Sequence, residues 1–304
     1  MRELFIKPFL ATVLLGFSGQ ALSAAGCPPP EFDRPALEAL KTSKFELADD
    51  ARRAKLALAL LPCLADPDPA LRDGVAFEAY FTWMRAKRLD AATRTELLGA
   101  LSAMLEPDPA DRDGVRQPFA ALVLSEVART DRVEAWLNPG QRAALVDVAA
   151  RYLTSVRDYR GFDQKAGWRH GVAHGADLVL QVALNPAVDR AALDRLLAAV
   201  ASQVAPAGEH AYIDGEPERL ARAVLFAAQR GLYSPDDWSV WLLKAAAPAP
   251  LDSWDAAYTS RVGLAKRHNV HAFLFALYVN ARESADANMQ ALVPGLQAAL
   301  KTLR

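Results

Sequence analysis

One run in this 304-residue chain has residue types and spacing suited to chemistry: Gly167-Trp168-Arg169-His170-Gly171-Val172-Ala173-His174-Gly175-Ala176-Asp177. On a helix advancing about 100° per residue, His170, His174, Asp177 and Gln181 share one narrow stripe. Trp168, Val172, Ala176, Val179 and Ala183 fall on a separate, apolar stripe. A helix of this pattern packs by its apolar side and presents two imidazoles, a carboxylate and an amide away from the packing seam.

Three uses of that stripe follow from its chemistry. Imidazoles at i and i+4 with an acid one turn on, His170, His174 and Asp177, suit zinc with an open fourth position. The helical metalloprotease signature needs Glu directly after the first histidine, and Gly171 stands there, so that enzyme class is excluded. Without metal, His170 paired with Asp177 or with Asp163 suits acid–base work in a hydrolase. Arg160 and Arg219 would then supply fixed positive charge for an anionic substrate. The third use is structural: a solvated or hydrogen-bonded polar stripe between adjacent helices. His268 and His271 read as a polar helix start, and His210 as part of an exposed loop. The sequence contains no Gly-x-Ser-x-Gly elbow, phosphate loop or dinucleotide fingerprint.

The elements that must position these residues are helical. Ala and Leu dominate, while alternating β-branched runs and Asn-Gly turns are scarce. Pro67-Asp68-Pro69-Ala70-Leu71-Arg72-Asp73-Gly74-Val75 returns as Pro107-Asp108-Pro109-Ala110-Asp111-Arg112-Asp113-Gly114-Val115, differing only at Leu71 and Asp111. Asp68 and Asp108 are suited to cap helices that open on proline, where the missing N–H costs nothing. Arg72 and Arg112 then sit in the first turn, within reach of a neighbouring repeat's acidic cap.

Around this pair the sequence predicts helical hairpins: Asp49 to Leu64 with Pro69 to Lys87, and Ala91 to Leu105 with Pro109 to Arg129. Pro139 to Val156 with roughly Gln164 to Leu184 follows, then Asp189 to Val204 with Pro217 to Arg230. Helices at Pro235 to Ala247, Ala265 to Val279 and Ala285 to Leu303 close the chain. The expected fold is all-α, a single domain over residues 26–304 forming a solenoid or toroid of antiparallel hairpins. The repeated Asp-Pro, Arg pattern resembles HEAT repeats.

The histidine run also resembles a bacterial family of uncharacterised proteins, domain of unknown function 2785. That family pairs an Arg-Gly-Tyr-Asp-like segment, here Arg160-Gly161-Phe162-Asp163, with a Gly-Trp-x-His-x-x-Ala-His-x-x-Asp run, here Gly167 to Asp177. Its Glu-Arg-Leu segment appears as Glu218-Arg219-Leu220. Its Arg-Ser-Phe-Ser-like stretch stands here as Arg116-Gln117-Pro118-Phe119, a departure from the pattern. The resemblance implies a helical fold and leaves the activity open. It adds Trp168 and Glu218 to Arg160, Asp163 and Arg219 as candidate ligand-binding residues.

Composition bounds the rest. A hydrophobic fraction of 52% with 23% charged residues fits a folded globular chain. A formal net charge of −1 gives no electrostatic footprint for nucleic acid. Arg2 and Lys7, the apolar run Phe9 to Phe17 and the small residues Ala21 to Ala25 form a secretory signal pattern with cleavage after Ala25. Export to the periplasm or beyond allows Cys27 and Cys63 to form a disulfide. The competing use of Cys27 is lipidation, since Ala24-Ala25-Gly26-Cys27 resembles a lipobox. The expected function is an exported binding scaffold for a protein, a peptide, a glycan or a small polar ligand. The alternative is a hydrolase, with or without zinc, built on His170, His174 and Asp177.

Overall fold

Short polar side chains set where many of the helices begin. Asp33, Asp49, Asp90, Asn138, Asp189, Ser234 and Ser260 each accept a hydrogen bond from a backbone N–H in the first turn of the helix that follows. The computed structural model describes residues 26–303; the expected leader, residues 1–25, lies outside them.

In chain order the helices are α1 (Arg34–Thr42), α2 (Asp50–Ala59), α3 (Pro69–Leu71) and α4 (Glu78–Arg85). A 3-10 turn, Leu61–Ala65, follows α2, and a π-helical stretch, Arg72–Phe77, joins α3 to α4. Next come α5 (Ala91–Met104), α6 (Arg116–Val133) and α7 (Pro139–Ser155). Two short antiparallel strands, β1 (Phe162–Asp163) and β2 (Gly167–Trp168), pair Phe162 with Trp168 and Asp163 with Gly167. The chain continues through α8 (Gly171–Ala183), α9 (Arg190–Val204), α10 (Glu216–Gln229) and α11 (Pro235–Ala245). A 3-10 turn at Asp255–Thr259 precedes α12 (Arg261–Glu283), α13 (Ala287–Gln290) and α14 (Val293–Thr302). The fold class is all-α, with one small ribbon.

The helices pack in two layers. In one, α4, α6, α8, α10 and α12 lie side by side; in the other, α7 lies against α9 and α9 against α11. Between the layers α5 packs on α6, α7 on α8 and α9 on α10. Buried apolar side chains from Phe32 to Leu303 form one continuous cluster. Helix α8 is the most enclosed part of it, flanked by α6 and α10 and covered by α7. Gly175 allows this closeness: a Cβ there would come within 3.0 Å of Leu153 Cδ1 and 3.1 Å of Tyr152 Cε1. Among the described residues no helix is long and apolar enough to cross a membrane.

The two copies of the repeat fold differently, and their single difference explains why. In the first, Asp68 caps Pro69–Leu71 and Leu71 is buried, so the chain runs on helically through Gly74 into α4. In the second, the carboxylate at Asp111 has no place in a core. It accepts instead from the backbone N–H groups of Gly114, Val115 and Arg116 at 3.0, 3.2 and 3.1 Å. That holds Gly114 at φ +67° and delays the helix, so α6 begins at Arg116 and not at the expected Pro109. The arginines part as well. Arg112 is exposed, and Arg72 is fully buried, reaching backbone carbonyls instead of a neighbouring acidic cap.

The expected helix from Gln164 is also corrected. Asp163 accepts from Lys165 N and Ala166 N, closing the β1–β2 turn, and Gly167 at φ +69° carries the chain back. Helical structure starts only at Gly171. The expected Ala285 to Leu303 helix is divided into α13 and α14, with Pro294 in the first turn of α14. At the front of the molecule Cys27 and Cys63 form a disulfide across a sequence separation of 36. By loop-closure entropy it contributes about 4 kcal/mol. The sulfur that lipidation would need is therefore committed to Cys63.

Candidate functional site

A cleft of about 990 Å³ opens between the front of the molecule and the α8–α10 pair. One wall comes from the end of α1 and the π-helical stretch, through Lys41, Phe45, Asp73 and Phe77. The other comes from Trp168, His170 and His174, with Asp214, Glu218 and Arg219 at the start of α10. Its walls thus carry aromatic rings together with charges of both signs.

His170 is not on the helix but is its N-cap, in the left-handed region at φ 55° and ψ 39°. Lys44 and Phe45, on the opposite wall, have φ of 57° and 60°. Side chains held in this region cost about 1 kcal/mol or more each, and such residues gather at binding sites. The His170 Nε2–H donates to Asp214 O at 2.8 Å. That carbonyl is delivered by a loop clamped onto α12: Asn269 accepts from Tyr212 N at 2.8 Å and donates to His210 O at 3.0 Å, and His268 donates to Tyr212 O at 3.1 Å. His210, expected in an exposed loop, is stacked on Tyr159 there.

His174, one turn into α8, is buried. Its Nδ1–H donates to Pro118 O at 3.1 Å, and its ring meets Phe119 edge-on at 5.1 Å. The departed family segment Arg116 to Phe119 is therefore in direct contact with the histidine helix. A carbonyl only accepts, so each bond fixes a tautomer. His170 keeps a lone pair on Nδ1 and His174 one on Nε2. Neither atom has a partner among the described residues, and both residues line the cleft. Burial pushes the His170 imidazole below its ordinary value, against the opposing pull of the Asp214 carbonyl. Burial, with His170 and Arg219 nearby, takes His174 down to about 3. Both imidazoles are neutral near pH 7.

Asp177 does not line the cleft and is bonded to Arg219, which does. Burial raises its carboxyl above the ordinary value, and the Arg219 and Arg222 guanidiniums pull it back down. Gln181 accepts from Arg132 Nε at 3.2 Å. The stripe read from the sequence thus sits between neighbouring helices, His174 and Gln181 bonded to α6 and Asp177 to α10. It does not stand free of the packing seam. The zinc triad does not close for the same reason. Among the described residues no three His, Cys, Asp or Glu side chains are placed to hold a metal ion. The proposed His170–Asp177 and His170–Asp163 pairs are also absent, since Asp163 is used in the β1–β2 turn.

Of the ligand-binding candidates, Trp168, Glu218 and Arg219 line the cleft, and Arg160 and Asp163 do not. Arg160 is bonded to Asp158 and to Asp113 O, at the outer side of the ribbon. Trp168 stacks on His170 with centroids 4.2 Å apart and meets Phe162 at 5.0 Å.

Arg72 was missed as a site residue. Its Nη2 donates to Ala166 O at 2.8 Å and to Trp168 O at 3.3 Å, and its guanidinium lies 4.5 Å over the Phe119 ring. Gly167 makes room for it, because a Cβ there would lie 3.0 Å from Pro69 Cβ and 3.3 Å from Arg72 Nη2. A buried cation, ion-paired with Asp73 at 2.8 Å and donating to loop carbonyls, thus pins the ribbon, and with it Trp168, to the front of the molecule. The repeat motif marked Arg72 without marking this use, which depends on a segment far along the chain.

The family model described as protein of unknown function (DUF2785) matches residues 108–279. The chain belongs to this family. The matched region holds His170, His174, Asp177, Glu218 and Arg219, and the wall formed by α1 and the π-helical stretch precedes it. No curated protein and no solved structure was matched by the chain.

Proposed function

We propose that the protein is an exported helical-repeat binding protein whose cleft holds a small polar ligand or a peptide segment against Trp168, His170 and His174. The observation that carries this is the pair of neutral imidazoles fixed in opposite tautomers. They offer two acceptors beside the stacked Trp168 face, a combination suited to a ligand with N–H or O–H donors and a flat face. Lys41 and Arg219 against Asp73, Asp214 and Glu218 allow charge of either sign to be matched at the rim. The disulfide supports an oxidising compartment, the periplasm or beyond. Binding is favoured over acid–base work, because a catalytic base needs a pKa near the working pH and His174 lies far below it. His170 is oriented by a carbonyl, which gives an imidazolium less support than a carboxylate would.

The test is a thermal-shift screen of the purified chain against dipeptides, amino sugars and oligosaccharides. Hits are repeated on Trp168→Ala and on His170→Asn, which keeps a side chain suited to the left-handed backbone. A ligand that raises the wild-type midpoint and fails to raise either variant's supports the assignment. Ligands that stabilise all three proteins equally bind elsewhere and refute it.

A further inference from the structure

A second hollow, of about 320 Å³, opens between the end of α4, the start of α5 and the last turns of α6. Arg85, Lys87, Arg94 and Arg129 line it, with Thr130 and Glu134, and none of its lining residues belongs to the first cleft. Two carboxylates are within reach of these cations. Arg85 spends Nε and Nη2 on buried Glu126 at 3.0 and 2.7 Å, and Lys87 meets Glu134 at 2.8 Å. Arg94 lies 4.8 Å over the Trp136 ring and makes no ion pair among the described residues, with the Asp90 and Glu134 carboxylates near enough to feel its charge. Half-buried Arg129 has no hydrogen-bond or ion-pair partner among the described residues. Arg132 beside it reaches only the Gln181 amide, at 3.2 Å. Burial holds the Arg132 guanidinium below its ordinary value, and the positive charge of Arg129 and Arg85 adds to the effect. The lining cations Arg85, Lys87, Arg94 and Arg129, with Arg132 beside them, outnumber Glu126, Glu134 and the nearby Asp90, an arrangement that favours an entering anion.

We propose that this hollow binds a phosphate-type oxyanion, gripped by the guanidinium of Arg129 and supported by Arg94, Arg85 and Lys87. Guanidinium forks match tetrahedral oxyanions through paired charge-assisted bonds, which a lone lysine does not reproduce. The volume is near the lower end of small-ligand sites, about 300 Å³. Lys87 stands at φ 55°, in a helix-ending position where glycine is usual, and so brings a charge to the rim at some conformational cost. Free phosphate, a phosphomonoester and a phospholipid headgroup share this chemistry.

Inorganic phosphate is titrated calorimetrically into the purified chain at low ionic strength, against chloride at matched ionic strength. The expected result is saturable one-to-one binding that weakens about tenfold or more in Arg129→Ala. Arg129→Lys, which keeps the charge and loses the fork, should fall between. In phosphate-free buffer Arg129→Ala should melt no lower than wild type, since it removes repulsion, and phosphate should raise only the wild-type midpoint. Phosphatidylcholine vesicles with and without phosphatidylglycerol separate the sources. Co-sedimentation on the anionic vesicles that Arg129→Ala abolishes assigns the site to a lipid headgroup, and phosphate binding without it assigns a soluble ligand. Phosphate heats equal to those of chloride with no vesicle binding, or an affinity unchanged in Arg129→Ala, would overturn the proposal.

Discussion

At the scale of single residues the protein turns on two histidines, each with one ring nitrogen fixed by a main-chain carbonyl, Nε2 in His170 and Nδ1 in His174. Their identity and spacing were legible in the sequence, as was the polar stripe they share with Asp177 and Gln181. Their tautomers were not, because Pro118 O and Asp214 O come from distant parts of the chain. The left-handed turn at His170 was hidden too, since a periodic pattern carries no record of where a helix starts. The buried neutral state has a stability consequence. His174 ordinarily titrates at 6.5 and is held at about 3 in the folded protein. Its contribution is therefore complete above 6.5 and lost as pH falls, because the unfolded chain takes up a proton that the folded one refuses. Between pH 7 and pH 5 this costs about 2 kcal/mol. The raised Asp177 carboxyl works in the opposite direction over the acid range. Urea unfolding of wild type and His174→Gln at both pH values isolates the histidine. The variant should lose less stability on acidification, and an equal loss would mean that His174 is protonated in the folded state.

Elements show most clearly how one residue redirects the backbone. The repeat at Pro67 and Pro107 was plain in the sequence, and the capping roles of Asp68 and Asp108 follow from local chemistry. The divergent outcomes depend on burial, which a local motif does not encode. Leu71 has a core to enter, and Asp111 satisfies three backbone donors from a half-buried position. Its carboxylate therefore holds the start of α6 by accepting from the N–H groups of Val115, the N-cap residue, and Arg116. Asp111→Ala should lower stability by about 1 kcal/mol, toward 2 if more than one of the bonds is lost. Chemical denaturation reads this directly, and an unchanged midpoint would show that Asp111 does not hold the start of α6. The ribbon illustrates the opposite limit of legibility. Asp163, Gly167 and the left-handed His170 interrupt what reads as continuous helix, and the carbonyls that receive Arg72 belong to that interruption.

For the whole molecule, composition and hairpin spacing sufficed for the all-α class and most helix positions. The cleft itself was not legible. It forms only when α1 and the π-helical stretch, ahead of the family-matched region, face the start of α10 across the ribbon. The contributions of Lys41, Phe45, Asp73 and Phe77 arise from packing and leave no motif. Their assembly leaves two neutral imidazoles lining one cleft, each with one ring nitrogen unpartnered among the described residues. Long-range proton–nitrogen correlation spectra of the histidine rings test this most directly. At pH 7 His170 is expected to carry its proton on Nε2 and His174 on Nδ1, with His174 still neutral at pH 5. Charged rings at pH 7, or the reverse tautomers, would contradict it.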